Sequence, residues 1–155
     1  MIFIVLLVII GLWLVTRTFL IPIISPMPEN LGITDGNLAP CPATPNCVSS
    51  QVDESDTSHY IAPLPIRLSI EETHDKLITV LNDLARTTIK TDTPTYIHAI
   101  NRTFAMGYID DIEFYIDEAN GVVHVRSAAR LGASDLGVNR NRIETIRKNY
   151  LQASQ

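Results

Sequence analysis

Three groups of residues have types and spacing that could do chemistry. The first is Asp110-Asp-Ile-Glu113 with His98, His124 and Arg126. Two or three carboxylates beside two imidazoles are the side chains of general acid–base catalysis or of a metal site. The second is the segment Arg130-Leu-Gly-Ala-Ser-Asp-Leu-Gly-Val-Asn-Arg140. Its glycines free the backbone, and Ser134, Asp135 and Asn139 are turn or cap types. Arg126, Arg130 and Arg140 could converge on an anion at the start of a following helix. It is not a phosphate-cradling loop of the G-x-x-x-x-G-K-[ST] kind. The third is Cys41-Pro-Ala-Thr-Pro-Asn-Cys47, which holds both cysteines of the chain.

Each group has a structural alternative. Alternating acids and bases are also what a solvent-facing sheet surface carries, with Glu113 and Arg126 as an ordinary cross-strand pair. The arginine segment can be a turn in which Asp135 pairs with an arginine. The C-x5-C spacing fits neither a C-x-x-C redox motif nor a zinc knuckle, and no second cysteine pair exists. A disulfide, two free structural thiols and a Cys47 nucleophile all remain open. Against the nucleophile, the nearest charges are Asp53 and Glu54, which would raise a thiol pKa. No cofactor motif is present.

The elements that must position these residues can be read from periodicity. Ser69-Ile-Glu-Glu72 is a capping box, and Ile70, His74, Leu77, Leu81, Leu84 and Ala85 give one apolar helical stripe behind it. Tyr60–Arg67, interrupted by Pro63 and Pro65, reads as an edge strand. The Thr87–Pro94 stretch ends the helix, with a brief strand around Ile89. Thr95–Asn101 and Thr103–Tyr108 read as strands, the second following a turn at Asn101-Arg102. Asp111–Asp117 alternates, with Ile112, Phe114 and Ile116 on one face. Glu118-Ala-Asn-Gly121 is a hairpin turn into Val122–Ala129. Counting back from an Asp117–Val122 pair sets Phe114 opposite Val125, Glu113 opposite Arg126 and Tyr115 opposite His124. A last helix runs over Val138–Gln152, with Asn139 as a possible cap. The order β-α-β-β-β-α predicts an α+β two-layer domain, an antiparallel sheet of 3–5 strands covered by two helices.

Ahead of this lies an uncharged, almost wholly apolar run. Ile2–Val15 spans only about 21 Å as a helix, short of the ~30 Å hydrocarbon core. Extension to Ile21 gives about 31 Å and includes Arg17, whose guanidinium can reach the headgroups. The run lacks the basic start and small-x-small cleavage site of a signal peptide. The expected organisation is a transmembrane anchor over 1–24, a proline-rich linker over 25–40 and a globular domain over 41–155, with residues 1–21 engaging the lipid bilayer. Arg17 alone points to a cytoplasmic domain by the positive-inside rule, whereas the cysteines point to an oxidising side.

The 155 residues carry 12 basic and 17 acidic side chains, a formal charge of -5, which argues against nucleic acid as a partner. Five arginines from Arg126 to Arg147 face only Asp135 and Glu144, while acids dominate Asp53–Asp92.

The motifs Cys41-Pro-Ala-Thr-Pro-Asn-Cys-Val-Ser-Ser50, Tyr96-Ile-His-Ala99, Asp110-Asp-Ile-Glu-Phe114, Arg126 to Arg140 and Arg142-Ile-Glu144 resemble the "domain of unknown function 1499" family of bacterial and plastid proteins. The resemblance spans Cys41 to Arg147. It departs at Ala129, where the family pattern more often has serine. It implies a membrane-associated or exported protein and brings no reaction. The leading expectation is a single-pass inner-membrane protein with a non-catalytic binding or accessory domain in the periplasm. It would recognise an anionic small molecule or an envelope protein through the arginine loop. The alternatives are a hydrolase using Cys47 or the Asp110/Asp111/Glu113/His98 group, and an accessory subunit of a membrane protein complex.

Overall fold

A computed structural model describes residues 2–152; Met1 and residues 153–155, which the expected anchor and domain ranges include, lie outside the described residues. An apolar helix runs from Ile2 to Ile24, and by length and composition it can cross a membrane. It comprises α1 (Ile2–Val15), a π-helical turn (Thr16–Leu20) and α2 (Ile21–Ile24). Pro22 has no N–H to donate, and its ring crowds the carbonyl four residues back. The wider turn accommodates it, with the Ile21 N–H reaching back to the Thr16 carbonyl.

The remaining elements are β1 (Cys47–Ser49), β2 (Leu64–Pro65), α3 (Ile70–Asp83), β3 (Thr87–Thr93), β4 (Tyr96–Arg102), β5 (Ile109–Asp117), β6 (Val122–Ala129) and α4 (Val138–Gln152). The sheet has six strands in the antiparallel order β1-β6-β5-β4-β3, with β2 also paired to β6. The β5–β6 register sets Asp117 against Val122, Glu113 against Arg126 and Tyr115 against His124, as the alternation predicts. Ser69 forms the complete capping box with Glu72 at the start of α3.

Helices α3 and α4 cover one face. Leu77, Val80, Leu81, Ile143, Ile146 and Tyr150 pack there on Ile97, Ile112, Phe114, Ile116, Val123 and Val125. Two expectations need correction. Thr103–Tyr108 is no strand but the loop of the β4–β5 hairpin, closed by the Thr103 N–H on the Tyr108 carbonyl. The threonine-rich stretch after α3 is a seven-residue strand. Its threonines are β-branched and suit an edge position, although their polarity masks the strand in a hydrophobicity pattern.

The second sheet face is largely covered along β4, β5 and β6, while β3 at its edge stays exposed. The chain leaving the apolar helix crosses this face. The Ser25 carbonyl accepts from Arg130, the Gly32 N–H donates to Glu113, and the Leu38 N–H donates to Gln51. Ser25, Leu38 and Ala39 are buried. The expected linker residues are therefore a strap across the polar side of the sheet.

Candidate functional site

Alternation along β5 and β6 sends the polar residues to both faces. On the strapped face, Asp111 accepts two hydrogen bonds from Arg130, at 2.8 and 2.7 Å, and lies 2.8 Å from His98 Nε2. Beside it Glu113 pairs with Arg126 at 2.9 Å and accepts from the Tyr96 hydroxyl at 2.8 Å. His98, Asp111 and Glu113 are each at most 2% exposed. Farther along, His124 stacks on Tyr115, contacts Ser50 through Nδ1 at 3.2 Å, and lies 3.5 Å from Asp117.

Burial alone would raise the Asp111 carboxyl, but Arg130 and His98 outweigh it and hold it below the usual carboxylate range. Burial, with the Glu113 charge and hydrogen bond added, drives the Tyr96 hydroxyl far above the usual phenol range, so it stays a donor. Among the described residues, no three or more histidine, cysteine or acidic side chains are grouped to hold a metal ion.

Asp110 does not join this group. It shares the helix-facing side with Ile112 and Phe114, where it pairs with Arg142 of α4. Burial pushes its carboxyl upward, opposed by the Arg142 guanidinium. Arg142 also donates to Asn139 at 2.6 Å and to Ser127 at 3.2 Å. Asn139 is fully buried and crosses to the Ser127 hydroxyl at 2.5 Å and the Asn46 carbonyl at 3.2 Å. Its side chain therefore ties the helix to the sheet. The capping role expected of it falls to Asp135, which accepts from the Gly137 and Asn139 N–H groups at 3.0 and 2.7 Å.

The three arginines of the second group do not meet. Arg126 is held by Glu113 and Arg130 by Asp111. Arg140 donates to the carbonyls of Tyr60, Thr57 and Ser58. Ser134 accepts the Leu136 N–H within its turn. Leu136 has a left-handed φ of 54° and is 92% exposed. A cavity of about 500 Å³ lies beside this loop, between Ile21 and Ile24 of the apolar helix and Tyr108, Leu131 and Val138, with Asp110 and Asp135 on its wall.

Cys41 and Cys47 form a disulfide. A nucleophile at Cys47 needs a free thiolate, and its sulfur is already bonded. The bridged loop docks through Asn46, whose side chain donates to the Gly132 carbonyl at 2.6 Å, while its own carbonyl accepts from Ala129 at 2.9 Å. The motif segments thus close on one another: the cysteine loop, the glycine-arginine loop, the start of α4 and Asp110 share one buried polar network.

Asn46, Ser127 and Arg142 were missed as parts of that network. Their signal was Asp110 itself, since an acid falling on the apolar parity of a strand requires a buried cation. A further group was also missed. Lys90 and Arg102 line, with Arg130, a cleft of about 370 Å³ against Pro22, Ser25 and Met27 at the end of the apolar helix. Among the described residues, no side-chain hydrogen bond or ion pair engages Lys90 or Arg102. The buried Ser25 hydroxyl also lacks a partner. These cations lie on an edge strand and its neighbour, far in sequence from the arginine segment, and no local motif joins them.

No match to a curated protein or to a solved structure was found. The family model described as "Protein of unknown function (DUF1499)" matches residues 37–149, which takes in the cysteine loop, the whole sheet and nearly all of the last helix. On that match the chain belongs to the DUF1499 family, whose function is unknown.

Proposed function

We propose that this protein is a membrane-tethered, non-catalytic binding domain. It faces the periplasm or an equivalent oxidising compartment and holds an anionic, phosphate-bearing lipid headgroup beside its anchor. The observation that carries the reading is the cleft of Lys90, Arg102 and Arg130 at the end of the apolar helix. A helix ending at Ile24 puts Pro22, Ser25 and Met27 at headgroup depth, where unpaired cations meet lipid phosphates. Ser25, whose buried hydroxyl has no partner, forms part of the wall of the same cleft.

Two features support the rest. The disulfide fits an oxidising side of the membrane. Asp111, Glu113 and His98 Nε2 are held by partners and shielded from water, which suits a scaffold better than proton transfer to a substrate.

Native mass spectrometry of the full-length detergent-solubilised protein tests the headgroup. Phosphatidylglycerol should be retained over phosphatidylcholine of the same chains. Lys90→Ala/Arg102→Ala should weaken that retention about thirtyfold, at ~1 kcal/mol per cation. Displacement by inorganic phosphate would identify a small-anion site instead. Equal retention of both lipids by both proteins would reject anion binding here.

A further inference from the structure

The β4–β5 loop, residues 103–108, reads Thr-Phe-Ala-Met-Gly-Tyr and carries no charge. Phe104 is 69% exposed, and Met106 and Tyr108 are 40% exposed. Single exposed apolar residues are ordinary, but three on one hairpin tip form a patch. This tip is fastened to the side of the anchor. Trp13 Nε1 donates to the Ala105 carbonyl at 2.6 Å, and the Arg17 guanidinium lies 5.8 Å from the centre of the Phe104 ring. Gly107 makes the approach possible. Its φ is +74°, and a Cβ there would stand 2.7 Å from Arg17 Cγ.

Length decides where this contact lies. If the bilayer boundary were at Trp13, the helix from Ile2 would cover only about 17 Å, roughly half of the hydrocarbon core. A full crossing puts the boundary near Pro22, with Arg17 about 7 Å and Trp13 about 13 Å along the axis inside it. We infer that the β4–β5 loop is a second membrane element, its Phe104 and Met106 side chains inserted into the acyl boundary beside the anchor helix.

Part of the loop's backbone has partners within the protein, while the Phe104, Ala105 and Met106 N–H groups have none among the described residues and so limit the insertion to interfacial depth, where water still reaches them. The Gly107 N–H donates to the Thr103 carbonyl, the Tyr108 N–H to the Thr103 hydroxyl, and the Ala105 carbonyl accepts from Trp13. Arg86, 5.9 Å from the Phe104 ring centre, and Arg102 at the base of the loop supply cations that reach outward to the phosphates. Helix and loop together would fix the domain's orientation on the surface, which one flexible tether cannot do. The lipid bilayer is the occupant because the patch is continuous with the apolar helix, which is long enough to cross it.

The inference rests on the anchor's membrane insertion but not on headgroup binding. Met106→Cys in the full-length protein, with its native disulfide intact, is labelled with bimane and reconstituted in phosphatidylglycerol/phosphatidylcholine vesicles. The control label is Glu118→Cys, on the β5–β6 turn. Flotation with the vesicles reports the anchor separately. In floating protein, the Met106 label should be quenched by shallow doxyl-labelled lipid and should lose most of the iodide quenching shown by the Glu118 label. Gly107→Ala, which pushes the loop off Arg17, should return iodide access without releasing the protein from vesicles. Iodide access at Met106 equal to the control would overturn the inference. So would shielding from both quenchers, which marks burial against a second copy.

Discussion

At the residue scale, the chemistry-bearing side chains serve chiefly to satisfy one another inside the fold. Glu113 is fully buried and is held by Arg126, Tyr96 and the Gly32 N–H, so it joins sheet to strap. Glu113→Gln leaves the Arg126 guanidinium buried without a counter-charge. We expect it to cost about 3 kcal/mol, read from the urea midpoint of the reconstituted or detergent-held protein. Asp111 makes a pH-dependent test. Its folded pKa lies below the unfolded one, so protonation favours unfolding. Its contribution is complete above about pH 4 and lost as pH falls through the lowered folded value. Asp111→Asn should therefore melt below the parent at neutral pH, and the gap should close below about pH 4. A gap independent of pH would mean that the carboxylate charge is not what binds Arg130 and His98.

At the scale of elements, legibility followed periodicity. The β5–β6 pairing was readable because a one-residue slip would have faced Phe114 and Val125 outward, and one register satisfied both faces. The capping box was readable because it is local. Three things were not. The strap lacks periodicity, and its contacts span 81 residues from Gly32 to Glu113 and 105 from Ser25 to Arg130. Composition could suggest buried arginines but could not choose their partners. The grouping of Lys90 and Arg102 became visible only when β3, β4 and the end of the apolar helix came together. The elements that were readable predict their own variants. Asp135→Ala removes the acceptor for two N–H groups at the head of α4 and should cost about 1 kcal/mol. Cys41→Ser should cost about 2 kcal/mol by releasing a short loop, and less if Pro42 and Pro45 already stiffen the unfolded chain. Matched melts of oxidised and reduced parent protein give the second figure independently.

At the scale of the whole molecule, two features of the chain bear on which side of a membrane the domain would occupy, and they pull against each other. Arg17 is the one charged residue in the apolar helix, and by the positive-inside rule it favours keeping its end in the cytoplasm. A single residue is a weak bias, and Arg17 is engaged with Trp13 and Phe104 rather than lying free in a flanking loop. The disulfide closes a loop on which Asn46 binds Gly132, Ala129 and Asn139, so the fold is organised around the oxidised form. A reducing cytosol would work against that bond in every molecule. We therefore expect the domain outside. In intact cells of an expression host, a membrane-impermeant maleimide should not label the protein until an impermeant phosphine reductant is added, and labelling should then appear without lysis. Labelling that requires lysis, with no need for reductant, would place two thiols in the cytosol. The periplasmic assignment would then fail, while the loop-insertion experiment, done in vesicles, would keep its own outcome.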